Sequence, residues 1–499
     1  MSSITFSTSK REHKADELAD RPGWATPEEL ARFSSGDPTA DIILAQGATM
    51  SFDRPVPFED RRNYNSLFIG GSGSGKSNVL MANLANHLPA NFAITDSKGE
   101  LFRTTSAGYR ADGYEVLRLD TIDLSQSCHF SPLAYLYTDE DVVTIGQMIM
   151  DGINPNRYVT KDVFWERSSE LLAYSLIGIL LTMERLDGVF KDGARPTDSY
   201  RRYLTFENFF MLQDLIKITD EDSSGSDMVS PLDRVVNTIA NGGTVSGPDG
   251  STWELEPQPD SCGVRYYRAF RTAARRTLKS ILITFHATFA AVRTPEMMRV
   301  LSGDDLRLDQ IDEGKRILYF VMSDNDSSYS WLGNLAYKLL VNRALRKADA
   351  NPDGRLARPV LFLCDEFANL GRIPDFERAI SIARSRRMGF MLFIQSFEQV
   401  DVAYGAGGQG RDIREIILDN CDALVFLGGG SALHTAEYLS DLCGPAAPGS
   451  RKRLIEPSEA SQLPRTQCVV KISGARPFLA AKYDAHTHPN AARYLELSE

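Results

Sequence analysis

The chain has 499 residues, of which 42% are hydrophobic, so it can bury a large core and divide into about two to four domains. Its net charge of -11 argues against a surface coated with nucleic-acid-binding charge, although a ring-shaped assembly can be acidic outside and basic in its channel. The six cysteines are scattered without a C-x-x-C pair, so they suggest neither a zinc site nor a disulfide framework and favour a reducing cytoplasm.

The first segment of the chain is polar. Residues 1 to about 60 contain turn-forming glycine and proline and two short helical patterns, at residues 14–20 and 26–33. This composition predicts an N-terminal arm over residues 1–60 and not a separate domain.

A strand, a glycine-rich loop and a helix follow in continuous order. An apolar run from Leu67 to Ile69 ends at the loop, and a helix-like run through Leu80 and Leu84 comes after it. The loop fits the pattern G-x-x-x-x-G-K-[ST], in which backbone N–H groups bind phosphates. Its residues are Gly70, Gly71, Ser72, Gly73, Ser74, Gly75, Lys76 and Ser77. A Gly/Ser linker is the alternative, but the flanking strand and helix favour a nucleoside triphosphate site.

Strands and helices continue to alternate beyond this loop. Asn91 to Asp96 reads as a strand that ends in an acidic residue, and Tyr114 to Leu119 reads as another strand after an intervening helix. Such alternation indicates a parallel sheet covered on both faces. We assign residues 61–130 to the first part of a nucleotide-binding domain.

The pattern changes near Ser131. From there to about residue 311 the sequence shows helical periodicity and no convincing strand, which predicts an inserted all-α domain over residues 131–311. The predicted helices span residues 142–150, 163–186, 206–218, 232–239 and 266–289. Two polar loops, at residues 220–227 and 241–262, interrupt them.

Strand and helix alternation then returns. Apolar strands are predicted from Arg316 to Met322, from Pro359 to Cys364 and from Gly389 to Ile394. They complete the nucleotide-binding domain over residues 312–485, and residues 486–499 form a C-terminal tail.

Polar residues follow two of these strands. Asp365 at the end of one strand can hold Mg2+ through water beside Ser77, and the adjacent Glu366 can polarise the attacking water. A plain strand end is the alternative interpretation of this acidic pair. Gln395 ends the next strand, where its amide can hydrogen-bond the terminal phosphate and the water, or merely cap the strand.

Five segments, taken in order, resemble the type IV secretion system coupling proteins, the conjugative DNA-transfer ATPases of the additional-strand RecA-like class. They are residues 67–77, 94–101 (ITDSKGEL), 362–371 (FLCDEFANLG), 383–386 (ARSR) with 395–396, and 420–428 (NCDALVFLG). The similarity covers roughly residues 20–490.

The resemblance implies an α/β fold, with a RecA-like P-loop domain and an inserted all-α domain. It also implies ATP and Mg2+ as cofactors and a homohexamer around a central channel. Relaxase bound to single-stranded DNA, or protein effectors, would be the cargo, delivered to type IV secretion channel components.

The resemblance also suggests an arginine that acts between subunits. Arg384 precedes Gln395 by 11 residues, where related hexameric pumps carry the arginine that one subunit inserts toward its neighbour's terminal phosphate. Arg386 and Arg387 compete for this role, and a solvated basic helix end is the alternative.

One departure concerns the membrane. Members of the family usually begin with transmembrane helices, whereas residues 1–60 show none and the near-apolar run from Leu171 to Met183 is too short to cross a bilayer. Trp24 to Leu30 resembles the segment that normally follows those helices. Either the anchor is missing or a separate membrane protein supplies it, and the expected location is cytoplasmic, at the inner face of the cell membrane.

Two other functions stay open at this point. A non-secretory hexameric DNA translocase would share the ATP site and the hexamer but would bind duplex DNA and no relaxase. A nucleotide-dependent substrate receptor without pumping would show no turnover even with DNA present. Glu366 beside Asp365 argues against the receptor, because a receptor needs no group to activate water.

Overall fold

The chain folds into two compact units. The first comprises residues 1–118, 308–327 and 340–499, and the second comprises residues 119–307 and 328–339. The computed structural model describes residues 18, 21, 23–37, 39–86, 88–154, 164–186, 202–218, 230–246, 252–323, 329–405, 410–429 and 432–495.

The elements of these described residues are numbered in chain order. The strands are β1 (Asp41–Ala45), β2 (Ala48–Ser51), β3 (Ser66–Ile69), β4 (Asn91–Asp96), β5 (Glu115–Asp120), β6 (Gly243–Ser246), β7 (Thr252–Leu255), β8 (Arg316–Val321), β9 (Val360–Cys364), β10 (Met388–Ile394), β11 (Ala423–Leu427), β12 (Gln467–Ile472) and β13 (Phe478–Ala481). The α-helices are α1 (Pro27–Ala31), α2 (Lys76–Asn86), α3 (Glu100–Ala111), α4 (Asp139–Ile153), α5 (Phe164–Leu186), α6 (Phe206–Asp214), α7 (Pro231–Asn241), α8 (Cys262–Arg271), α9 (Arg275–Ala290), α10 (Pro295–Val300), α11 (Ser330–Ala350), α12 (Phe376–Ile382), α13 (Phe397–Tyr404), α14 (Gly410–Asp419), α15 (Leu433–Cys443), α16 (Pro457–Ser461) and α17 (Ala491–Tyr494). Short 3-10 helices span Phe58–Asp60, Leu124–Gln126, Pro132–Tyr135, Leu308–Gln310, Phe367–Leu370, Ala383–Arg386 and Ala485–Thr487.

A nine-stranded sheet organises the nucleotide-binding part of the chain, in the order β13-β12-β11-β3-β10-β9-β4-β8-β5. Strands β11, β3, β10, β9, β4 and β8 pair in parallel. Every residue of β3, β4, β8, β9 and β10 is buried, as expected when helices cover both faces of a parallel sheet.

One edge of the sheet differs from the sequence prediction. Strands β12 and β13 add to β11 in antiparallel fashion, so the sheet is mixed and not wholly parallel. The short connection between β12 and β13 accounts for their own antiparallel pairing, because a short turn can join only antiparallel neighbours. It does not account for the pairing of β11 with β12, which a longer segment connects.

Part of the predicted N-terminal arm packs into the core. Strands β1 and β2 form an antiparallel hairpin, and Ile42, Met50 and Phe52 lie in the same buried cluster as Phe68 of β3. Asn83 on α2 fixes the hairpin, because its amide oxygen accepts from the Ile43 N–H at 2.9 Å and its amide nitrogen donates to the Ile43 carbonyl at 3.0 Å. Of the helical pattern predicted at residues 14–20, only residue 18 is described.

The second unit is mostly helical but not all-α. Strands β6 and β7 form a hairpin inside the segment predicted as a polar loop at residues 241–262. Val245 pairs with Trp253 and Gly243 with Leu255, so the two strands do alternate, but each has only four residues and they lie within a polar, glycine-rich segment that reads as a loop. The predicted loop at residues 220–227 lies outside the described residues. No helix among the described residues has both the length and the apolar character needed to cross a bilayer.

The predicted helix at residues 266–289 is also two helices, α8 and α9, separated at residues 272–274. No glycine or proline marks the break. Helix α8 packs closely on α5, where an added Cβ at Gly178 would lie only 2.7 Å from the Gly263 nitrogen. Glycine at both positions therefore lets the two backbones approach.

The Asn83 contact generates a stability prediction. Asn83→Ala should lower the free energy of unfolding by about 2–4 kcal/mol, because two buried hydrogen bonds are lost and the Ile43 backbone groups are left without partners. Asn237→Ala is the matched control, since Asn237 is an exposed asparagine on α7 and should change stability by less than about 0.5 kcal/mol. Urea unfolding measures the free energy of unfolding of both variants. Equal losses of stability would contradict the role of Asn83 in holding the β1–β2 hairpin.

Candidate functional site

The glycine-rich loop joins β3 to α2. Gly73 and Gly75 adopt φ values of +70° and +90°, a region that favours glycine. Gly70 is required for space, because a Cβ there would lie 2.8 Å from Leu427 Cβ on the neighbouring strand. The loop residues therefore fold locally as the sequence pattern predicts, with backbone N–H groups at the start of α2.

Lys76 is shielded from solvent and held by two acceptors. Its Nζ donates to the Gly70 carbonyl at 2.9 Å and lies 3.1 Å from Glu366 Oε1. The side chains of Lys76 and Glu366 are only 8% and 14% exposed. A phosphate that binds Lys76 must therefore compete with the Glu366 carboxylate.

Glu366 sits in a strained backbone position that directs its carboxylate into the site. Its φ of +51° and ψ of 58° are left-handed values that a glutamate rarely adopts, and strain of this kind concentrates at functional sites. Gln395 Nε2 donates to Glu366 Oε1 at 3.1 Å, so the predicted water-activating acid and the predicted sensing amide are in direct contact.

Asp365 lines the same site. Its Oδ2 accepts from the Ser97 hydroxyl at 3.1 Å, and its carbonyl accepts from the Thr95 hydroxyl at 2.8 Å. Burial and then the neighbouring Glu366 charge raise the pKa of Asp365 to about 6. A divalent cation would offset both effects, which suits the carboxylate to Mg2+.

These residues line one cavity of about 360 Å3. Its walls include loop residues 71–77 with Lys76 and Ser77, the acids Asp365 and Glu366, and Gln395. The buried Ser74 hydroxyl has no hydrogen-bond partner among the described residues. A polar cavity with a cation, paired acids and a glycine-rich loop fits a nucleoside triphosphate with Mg2+.

Arg384 is the predicted site residue that the structure does not bring to this cavity. It lies in the 3-10 helix Ala383–Arg386, before the start of β10, whereas Gln395 follows the end of that strand. A strand of seven residues spans roughly 20 Å, so the guanidinium cannot reach the loop of its own chain. Arg386 and Arg387 form ion pairs with Asp349 at 3.0 Å and Asp53 at 2.6 Å, which leaves Arg384 as the favoured candidate.

Comparison with known proteins identifies the family of this chain. Residues 52–448 match the family described as Type IV secretory system Conjugative DNA transfer. The chain belongs to this family. The match confirms the resemblance to the conjugative coupling proteins of type IV secretion systems.

A curated relative and solved structures agree with the family. Protein VirD4 of Rhizobium radiobacter is 21% identical over 388 residues, which are 76% of this chain and 48% of that protein, so this chain spans about half its length. The unbound monoclinic form of the bacterial conjugative coupling protein TrwBdeltaN70 is 14% identical and covers 95% of both chains with a TM-score of 0.59. TrwB in complex with the ATP analogue ADPNP is 15% identical and covers 95% of this chain and 93% of that one, with a TM-score of 0.58. At these identities the structures show the fold, and they confirm the predicted α/β P-loop class with a helical insertion.

The sequence alone indicates no role for Lys482. Its Nζ donates to the Ser74 carbonyl at 2.6 Å and to the Gly428 carbonyl at 3.0 Å, and burial lowers its pKa. The ammonium therefore ties the glycine-rich loop to the end of β11. Its position after β13, far from every motif, hid this contact in the sequence.

The Lys482 contact predicts an effect on nucleotide binding. Lys482→Met keeps the aliphatic stem but removes the donor, so the loop should loosen and ATP affinity should fall about tenfold. Lys482→Arg should recover part of the affinity, and the exposed Lys452→Met should have no effect. If the parent chain and the Lys482→Met protein bound a fluorescent nucleotide with equal affinity, Lys482 would not organise the loop.

The Lys76–Glu366 contact predicts how two substitutions differ. Glu366→Gln should lower turnover about 10²-fold or more, because the proton acceptor is lost, while ATP binds at least as well since Lys76 no longer has a competing carboxylate. Lys76→Ala should abolish turnover and weaken binding. Steady-state ATPase assays with a binding titration separate these effects.

Glu207→Gln is the matched control for this pair, since Glu207 is exposed on α6. It should leave both measurements unchanged. Near-normal turnover in the Glu366→Gln protein would remove Glu366 from its assigned role.

Proposed function

We propose that this chain is the ATP-hydrolysing coupling protein of a type IV secretion or conjugation system. It recruits relaxase-bound single-stranded DNA, or protein substrates, and drives them to the transfer channel. The convergence of Lys76, Asp365, Glu366 and Gln395 on one cavity carries this proposal, because together they supply phosphate binding, a metal ligand and a proton acceptor.

Nucleotide binding uses the loop and the acidic strand end. The backbone N–H groups at the start of α2 and the Lys76 ammonium bind the phosphates. Ser77 and Asp365 would hold Mg2+, which would neutralise charge on the phosphates. The raised pKa of Asp365 supports this assignment, because the carboxylate has no cation of its own that fully offsets its burial.

The contacts that Glu366 makes before ATP binds couple hydrolysis to nucleotide binding. Before ATP binds, Glu366 Oε1 is occupied by Lys76 and Gln395, so this oxygen is not free to accept a proton from water. When phosphate oxygens take over Lys76, the carboxylate is released toward the attacking water and Gln395 can orient that water. Glu366 therefore becomes available as a proton acceptor only once the triphosphate is bound.

The position of Arg384 supports an oligomer in which subunits share their sites. An arginine that cannot reach the cavity of its own chain can act on that of an adjacent copy, which fits the proposed homohexamer. Relaxase, single-stranded DNA and type IV secretion channel components are the proposed partners. The proposed location is the cytoplasmic face of the membrane. The domain limits at residues 60, 130, 311 and 485 remain proposals.

The trans role of Arg384 predicts a dependence on assembly. Arg384→Ala should keep ATP affinity, lose about 10³- to 10⁵-fold of the assembled rate, and become insensitive to protein concentration. The parent chain should instead speed up per subunit as concentration rises. Turnover measured across a dilution series with single-stranded DNA tests both statements.

Mixing two inactive variants sharpens this test. A Lys76→Ala subunit still offers its arginine, and an Arg384→Ala subunit still offers an intact loop, so their mixture should regain part of the activity. If the mixture stayed inactive while light scattering showed mixed oligomers, Arg384 would not act between subunits.

A further inference from the structure

The residues that follow β13 run along α2, the helix that begins at the nucleotide cavity. Residues 482–495 contact α2 through the 3-10 helix Ala485–Thr487 and through α17, and α17 also packs on α3. We call residues 482–495 the α2 strap. Ala485 and Tyr494 of the strap belong to the same buried cluster as Leu84 of α2. The strap is therefore a packed part of the nucleotide-binding unit.

Asn78 joins the strap to the first turn of α2. Its Oδ1 accepts from the Ala485 N–H at 3.1 Å, and its Nδ2 donates to the Tyr483 carbonyl. One amide side chain thus bridges two backbone groups of the strap, which fixes the rotation of the side chain and of the helical turn that carries it. Asn78 directly follows Ser77, the predicted metal ligand.

The strap also holds the glycine-rich loop on the other side of the phosphate-binding residues. Lys482 donates to the Ser74 carbonyl, which precedes Lys76 in the chain, whereas Asn78 follows Ser77. The two side chains that bind phosphate and metal in the proposed function therefore lie between two points that the strap fixes. Such outer contacts hold the residues of a site in their productive geometry.

The far end of the strap is anchored away from the cavity. Asn86 Oδ1 lies 3.3 Å from His488 Nε2, and Asn490 Nδ2 donates to the Ala85 carbonyl at 3.2 Å. These contacts lie at the last turn of α2, roughly 10 Å from Asn78 at 1.5 Å per residue along the helix. They can stabilise the strap without acting on the loop.

We propose that Asn78 is a positioning residue of the nucleotide site: by binding the backbone of residues 483–485, it fixes the turn of α2 that carries Ser77 before the nucleotide arrives. A turn that is already ordered lowers the entropy cost of binding the phosphates. This inference rests on the proposed function, since the nucleotide comes from it. Asn78 acts through its neighbours and need not touch the ligand.

Nucleotide affinity tests this role. In the full chain, Asn78→Ala should weaken binding of a fluorescent ATP analogue with Mg2+ about tenfold, because both hydrogen bonds to the strap are lost. Alanine favours a helix more than asparagine does, so a loss of affinity would not come from a weaker α2. Unchanged affinity would overturn the proposal.

Asn490→Ala is the matched control, since it removes a hydrogen bond between the same strap and the other end of α2. It should lower the melting temperature at least as much as Asn78→Ala does, while nucleotide affinity stays within about twofold of the parent chain. An equal loss of affinity in both variants would mean that general loosening of the strap, and not Asn78, sets the site. That result would also overturn the proposal.

A second variant separates hydrogen bonding from packing. Asn78→Leu has nearly the volume of asparagine but neither polar atom, so it should bind nucleotide as weakly as Asn78→Ala. If leucine restored the affinity of the parent chain, packing would position the turn and the hydrogen bonds would not.

Turnover should show a characteristic split. The phosphates are held in the ground state and in the transition state alike, so Asn78→Ala should raise the KM for ATP about tenfold while kcat changes less than about threefold. A large fall in kcat with an unchanged KM would instead place Asn78 in the chemical step and contradict a positioning role.

Hydrogen exchange tests the same coupling from the strap. Because coupling between two sites is reciprocal, a saturating ATP analogue that cannot be hydrolysed should slow exchange of the peptide 482–487, which contains the Ala485 amide, in the parent chain. The effect should disappear in Asn78→Ala, and the peptide 488–495 should change little in either protein. Exchange in 482–487 that ignored the nucleotide would contradict the proposal.

The parent chain separates this inference from the proposed function. If the parent bound nucleotide and Asn78→Ala bound it equally well, Asn78 would not position the site and the ATPase function would stand. If the parent itself bound no nucleotide, the proposed function would fail, and with it the positioning role of Asn78.

Discussion

The site depends on the register of four parallel strands. Main-chain hydrogen bonds pair Ile69 of β3 with Ile394 of β10, and Cys364 of β9 with both Leu392 and Thr95. Because all four strands point the same way, the residues that follow them converge on one edge of the sheet. The glycine-rich loop, the Asp365–Glu366 pair and Gln395 meet there although more than 300 residues of chain lie between the loop and the glutamine.

The Lys76–Glu366 ion pair is the electrostatic centre of that edge. At 3.1 Å and with little solvent exposure, its gross attraction is about 5 kcal/mol at an effective dielectric constant of about 20, before desolvation is subtracted. A triphosphate with Mg2+ brings more charge than one carboxylate and can displace it. In the proposed function, the contact that occupies Glu366 before ATP binds would be broken by the nucleotide, which would free the carboxylate.

The two ends of the strands carry complementary chemistry. The carboxyl ends present the nucleotide cavity, and at the amino ends of β3, β9 and β10 lies a second cavity lined by six arginines, Arg384 among them. Two different surfaces that fit each other produce a head-to-tail interface, which closes into a ring when the rotation between copies allows it. This polarity is the physical basis for proposing that copies of the chain share a site in a ring.

The sequence by itself determined the features that are local in the chain. The loop at residues 70–77 could be predicted because the glycine conformations and the flanking strand and helix are contiguous, and Asp365 with Glu366 because an acidic pair directly follows an apolar strand. Tertiary structure alone decided the contacts of Lys482 and Asn83, since each depends on which distant backbone carbonyl lies opposite. It also decided which arginines meet at the amino ends of β3, β9 and β10 and the antiparallel edge of the sheet, because strand order sets both and leaves no pattern within a short window of sequence.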